Sequence, residues 1–250
     1  MSMAIITTIM RVSMRTESSG AGQGDDLALL GLLQLVSPAL PIGAFAFSQG
    51  LESAFELGWV SDEASLGAWL AGVLDDGLTR CELPVLARLH RAWAEADGEA
   101  IVEWDTWLAA NRETAELAAE DSRLGASLAR LLASLALLPD SLSRETPALP
   151  AGAGYVTVFA WTAHARGIAV RQALLGFAWS WLENQLAVAC KALPLGHTAA
   201  QRLVERLRPA LVDAVDQALA LEDDELGPAL PGLALASALH ETQYSRLFRS

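Results

Sequence analysis

Residues 155–193, YVTVFAWTAHARGIAVRQALLGFAWSWLENQLAVACKAL, decide how the chain folds. Their first seven, YVTVFAW, are rich in β-forming residues and taken alone fit a strand. A strand needs a partner, and the chain offers no second such run across a hairpin turn, so Tyr155–His164 is read as helix. From Gly167 to Leu193 the segment is apolar nearly all round, with Ile168, Leu174, Leu175, Phe177, Trp179, Trp181, Leu182, Leu186 and Val188. A helix of that composition is expected at the centre of a bundle, covered on every side. Pro194 and Gly196 end it.

The flanking sequence has the same helical period. Downstream, His197–Leu221 turns Leu203, Leu207, Leu211 and Val215 inward, and Leu233–Leu239 forms one short helix after the acidic EDDEL and GPALPG loop. Upstream, the run from Asn111 to Leu138 places Leu117, Leu124, Leu128, Leu131 and Leu135 on one stripe and stops at Pro139. Leu83–Ala96 tolerates Pro84 in its first turn. Ile101–Leu108 follows the Asp97-Gly98 turn. Leu66, Trp69, Leu70, Val73 and Leu74 form one buried face behind a cap at Ser61, with Asp62 and Glu63 favourable to the dipole. LALLGLLQLV, after Asp25 and Asp26, must stop near Ser37 because Pro38 disfavours helix before it. SRETPALPAGAG is the clearest linker. The expectation is an all-α, single-domain bundle of about ten helices with a central apolar helix. Its limits are a disordered N-terminal segment 1–26, a helical domain 27–239 and a C-terminal tail 240–250.

Composition narrows the function. The chain has 250 residues, 52% hydrophobic and 19% charged, with a net charge of −13 and Arg far outnumbering Lys. An acidic surface repels phosphate backbones, so no nucleic-acid partner is expected. The uncharged stretch from Thr146 to Ala165 is broken by Pro147, Pro150, Gly152 and Gly154. Gln172–Leu182 is too short to span a bilayer, so no membrane partner is expected either. The excess apolar surface is assigned to the core and to protein interfaces. Cys81 and Cys190 are far apart, form no CxxC and fit a reducing cytoplasm. The N-terminus has no adequate apolar region or cleavage site for a secretory leader.

Catalytic signatures are absent. There is no GxxxxGK[ST], no HExxH and no GxSxG. His90, His164, His197 and His240 have no second His or Cys at i+3 or i+4. They read as surface or capped histidines, with His240 of most interest because it opens the polar tail beside Glu241. Carboxylate pairs such as Glu116 with Glu120 and Asp75 with Asp76 read as solvated helix faces. Arg112 and Glu116, at i and i+4, read as a surface ion pair worth a few tenths of a kcal/mol. No catalytic residue, metal ligand or cofactor site is assigned.

Two stretches are compositionally unusual. SPALPIGAFAFSQGLE, Ser37–Glu52, is a turn feeding a helix, and its aromatics and amides fit recognition better than a linker. The tail HETQYSRLFRS, His240–Ser250, concentrates aromatics and arginines, residue types favoured at interface hot spots. Its positive charge stands out on an acidic chain.

With NRETAELAAED and ACKALPLGHTAAQRL, these stretches resemble the UreF family of urease accessory proteins, in collinear order from about Leu29 to Ser250. Ser37, Pro38, Pro41, Gly43, Ser48, Gln49, Gly50, Leu51 and Glu52 match the N-terminal signature of that family. Arg112, Glu113 and Glu116 match the central one, and Pro194, Leu195 and Gly196 the later one. Tyr244, Ser245, Arg246, Leu247 and Phe248 match the tail; with Arg249, Ser250 and His240 they make up the expected partner-binding set. Phe47 stands where the family often has Tyr, Ala118 and Ser122 where Arg is expected, and His197 where Gln is common. The resemblance implies a helical, cytoplasmic, homodimeric protein that is not an enzyme. It implies a scaffold joining UreD (also called UreH) to the GTPase UreG and governing nickel insertion into apo-urease, with the tail ordering on partner binding. The residues alone leave two alternatives, a stand-alone helical metal-binding or hydrolytic protein and a helical adaptor for another complex.

Overall fold

The computed structural model describes residues 20–138, 146–193 and 195–250. The Pro139 stop, the first residues of the linker, Pro194 and the segment 1–19 lie outside the described residues. Among these there are ten α-helices and no strand. They are α1 (Gly20–Leu35), α2 (Leu51–Glu56), α3 (Glu63–Val73), α4 (Glu82–Glu95), α5 (Gly98–Ala110), α6 (Ala115–Ser134), α7 (Tyr155–Ala165), α8 (Val170–Ala192), α9 (His197–Ala220) and α10 (Pro231–His240). The all-α reading stands. α1 begins at Gly20, so Gly20–Asp26, which read as disordered, continue the helix in the N-terminal direction.

The β-forming residues of α7 are helical because tertiary burial overrides local propensity. Val156 through Ala163 are all buried, and α7 packs against α4, α6, α1 and α8. The contact with α6 needs Gly125, since a Cβ there would lie 2.3 Å from the Ala153 carbonyl oxygen. α4 forms the other half of the centre, with α5, α7, α8 and α9 around it.

α8 differs from expectation on one side. Trp179, Glu183, Ala187 and Lys191 recur at four-residue intervals and face a cavity instead of a neighbouring helix. The inward stripe of α6 is also rotated from the expected one. Glu120, Leu124, Leu128 and Leu132 are buried, whereas Leu135 is exposed and Leu131 only half-buried. The cap of α3 is Asp62, which accepts from the Ser65 amide at 2.8 Å in a capping box, one residue beyond Ser61. α3 runs into a π turn, Leu74–Leu78. The carbonyls of Asp76, within that turn, and of Arg80, just beyond it, accept from the Ala229 and Gly227 amides and hold the loop before α10.

Candidate functional site

The Ser37–Glu52 turn and the tail, 200 residues apart in sequence, are built against each other. After α1 the chain makes a 3-10 turn at Ala44–Ala46, entered through Gly43 in the left-handed region. Gln49 (φ 54°) and Gly50 (φ 75°) are also left-handed, and together they reverse the chain into α2. Gly50 packs under α10, where a Cβ would sit 3.1 Å from the Ser237 nitrogen. A non-glycine residue in that region is strained, and the strain at Gln49 is offset by a saturated side chain. Its amide donates to Glu120 Oε1 at 2.8 Å. Its carbonyl oxygen accepts from Trp181 Nε1 at 3.0 Å and from Gln185 at 3.2 Å.

The tail closes over this turn. The Arg249 amide donates to the Ala46 carbonyl at 2.8 Å, and the Ser48 amide donates to the Ser250 carbonyl oxygen at 2.7 Å. Glu52, buried at the start of α2, accepts the consecutive amides of Leu247 (2.6 Å) and Phe248 (2.9 Å) on its two oxygens. His240 is fully buried, with Nε2 3.2 Å from Glu52 Oε2 and Nδ1 2.7 Å from Glu116 Oε2. Glu116 also pairs with Arg246 at 2.7 Å, and Ser250 donates its hydroxyl to Glu120 at 3.0 Å. Phe248 is 7% exposed, and Lys191, the single lysine of the sequence, lies 4.5 Å from its ring centroid. Tyr244 is fully exposed and Leu247 is 56% exposed. In this structure the tail lies docked on its own chain.

Several readings of the charged residues change. Arg112 does not pair with Glu116. It is three-quarters or more enclosed between Glu82 and Asp121, which lies 3.0 Å away. Burial opposes its charge, but Asp121 and Glu82 outweigh burial and hold the guanidinium above its ordinary value. Burial raises the Asp121 carboxyl, with Arg112 only partly offsetting it. Glu116 and Glu120 are not a solvated face either. Glu120 is 5% exposed, and burial pushes its carboxyl up to about 7 against the donors Gln49 and Ser250. The physical reason is the rotated stripe of α6: Glu120 stands one helical turn before Leu124, on the core side. Asp75 and Asp76 are exposed, as read. His240 is not a surface histidine, whereas His197 is exposed and His90 reaches the Ile168 carbonyl oxygen.

A cavity of about 690 Å³ opens beside the turn, between α6, α8 and α9. Gln49, Glu82, Arg112, Glu120 and Asp121 line its buried side, and Phe45, Trp179, Lys191 and His197 its more exposed parts. Among the described residues no group of three or more His, Cys, Asp or Glu side chains could hold a metal ion. On the opposite side of the tail, Arg123, Arg246 and Arg249 share a groove with Glu116 and Glu241.

The signature residues thus converge, with exceptions. Ser48, Gln49, Gly50, Glu52, Glu116, His240, Arg246, Phe248 and Ser250 form one network. Arg112 lies beside it on the cavity wall, while Ser37 and Pro38 border the cavity and Pro41 faces solvent. Glu113 is exposed, as are Ala118 and Ser122 on the outer side of α6, and Gly196 caps α9. Phe47 is buried, so a tyrosine hydroxyl there would need an internal partner. Glu82, Asp121 and Gln185 carry no sequence signal, while Glu120 reads as a solvated carboxylate and Trp181 as plain core. The spacing of Glu120 with Leu124 and Leu128 was the available signal.

Residues 60–208 match the UreF family model. Over 228 residues the chain is 74% identical to the urease accessory protein UreF of Chromohalobacter salexigens, covering 91% of this chain and 97% of that one. The chain belongs to the UreF family of urease accessory proteins. More distant relatives match over the same span. The urease accessory proteins UreF of Hahella chejuensis and of Pseudomonas putida are each 48% identical, covering 90% of this chain and 99% of theirs.

Proposed function

We propose that this chain is a non-catalytic, cytoplasmic scaffold in nickel insertion into apo-urease, docking UreD (UreH) and UreG. The observation that carries the reading is the division of labour in the tail. Phe248 and Ser250 are anchored inward, while Tyr244, Leu247 and Arg249 point outward from the docked segment. An aromatic, an aliphatic and an arginine held on a fixed backbone make a preorganised contact surface, which lowers the ordering cost of binding. The reading includes a homodimer. α1 leaves Leu27, Leu29, Leu30 and Leu33 exposed, an apolar ridge that a second copy would cover. Among the described residues no helix is long and apolar enough to cross a membrane. The test is to express urease with UreD and UreG, with and without this chain, and measure nickel in the purified enzyme. Nickel content rises with the chain present; equal content in both would overturn the scaffold role.

A further inference from the structure

The groove between α6 and the tail gathers positive charge on a chain whose net charge is −13. It encloses about 600 Å³, and Arg123, Arg246 and Arg249 converge on it with two carboxylates, Glu116 and Glu241. Glu116 gives one oxygen to Arg246 and the other to His240, each at 2.7 Å, and has none left for the other two arginines. Glu241 is exposed and makes no ion pair among the described residues. Glu120 is buried under Ser250, and Lys191 lines the cavity elsewhere, so neither belongs to the groove. Arg123 and Arg249 are both exposed, and among the described residues neither guanidinium meets a carboxylate. The groove is therefore an arginine site with two guanidinium groups uncommitted.

We propose that this groove docks a carboxylate-rich segment of a partner protein, whose acidic side chains pair with Arg123 and Arg249 while Glu116 keeps hold of Arg246. The guanidinium fork matches a carboxylate bidentately, and such charge-assisted pairs are the stronger hydrogen bonds. The backbone behind the arginines is fixed beforehand. The Arg249 amide is bonded to the Ala46 carbonyl, and Phe248 beside it is buried with its amide on Glu52. Fixing the donors in advance lowers the ordering cost of binding. Ala115 and Ala119, four residues apart on α6 and in one row with Arg123, give the groove a floor of small side chains on which a backbone can lie. Glu116 and Glu241 on its walls oppose a compact, doubly charged phosphate more than single carboxylates spaced along a chain. The acidic surface around it likewise repels polyphosphates. The site stands on these charges and this geometry, independently of the scaffold reading.

The test is fluorescence anisotropy of a labelled hexaglutamate peptide titrated with the full-length isolated chain at about 20 mM salt, where charges are weakly screened. Saturable binding is expected, and a neutral hexaglutamine peptide gives none. Arg123→Ala with Arg249→Ala raises the Kd at least tenfold at an unchanged melting temperature. Arg80→Ala with Arg91→Ala removes the same charge from exposed arginines outside the groove and changes the Kd less than threefold. Absence of saturable hexaglutamate binding overturns the proposal. Equal weakening in the two double variants overturns it too, because net charge and not the groove would then attract the peptide. Inorganic phosphate that displaces the peptide with an equal or lower inhibition constant assigns the groove to a small oxyanion, which also overturns the acidic-segment reading. Because no assembly partner is present, failure here leaves the nickel measurement on urease to judge the scaffold reading by itself.

Discussion

Arg112 shows how far one residue can depart from its local spacing. Four residues before Glu116 on what read as a continuous helix, it suits a surface pair. Yet the helix begins at Ala115, and Arg112 turns into the bundle between Glu82 and Asp121. Removing one member of a buried ionic group leaves the others without compensation, typically at a cost of about 3–5 kcal/mol. Arg112→Met is expected to lower stability by that amount, seen as a drop in the urea midpoint at unchanged slope. Glu52 and Glu120 teach the same lesson. A single sequence reports that a carboxylate lies on a helix, but not that a segment 130 or more residues away will bury it.

At the level of elements, periodicity was the legible part. α7 was recoverable despite YVTVFAW because no strand partner exists, and the inward face of α9, Leu203, Leu207, Leu211 and Val215, is as read. Helix ends were less legible where a side chain serves two elements. Thr114 caps α6 by accepting from the Leu117 amide at 3.2 Å, and its hydroxyl meets Ser237 of α10 at 2.7 Å. Its tertiary role could not be seen from local sequence. Thr114→Ala should lose about 1 kcal/mol from the cap alone. Chemical denaturation would register the loss, and a cost well above it would measure the tie to α10. The full coverage expected around α8 failed for a similar reason. Its composition is apolar on every side, but Trp179, Glu183, Ala187 and Lys191 line a cavity that only the placement of α6, α9 and the Ser37–Phe45 turn creates.

For the whole molecule, the bundle is a frame that brings the first and last recognisable motifs of the chain together. α2 and α10 pack against each other and α6 supplies Glu116 and Glu120 beneath the tail. In the proposed scaffold role the docked tail presents its outward side chains to UreD. Deleting the tail would test it poorly, since Glu52, Glu116 and Glu120 would all lose partners. Tyr244→Ala with Leu247→Ala removes only exposed side chains and leaves the anchors Phe248 and Ser250 in place. The decisive measurement is the affinity of this double variant for purified UreD by isothermal titration calorimetry, beside wild type and with melting temperatures compared. A Kd weakened at least tenfold, about 1.4 kcal/mol, with an unchanged melting temperature is the predicted result. An unchanged Kd would contradict that role for the tail.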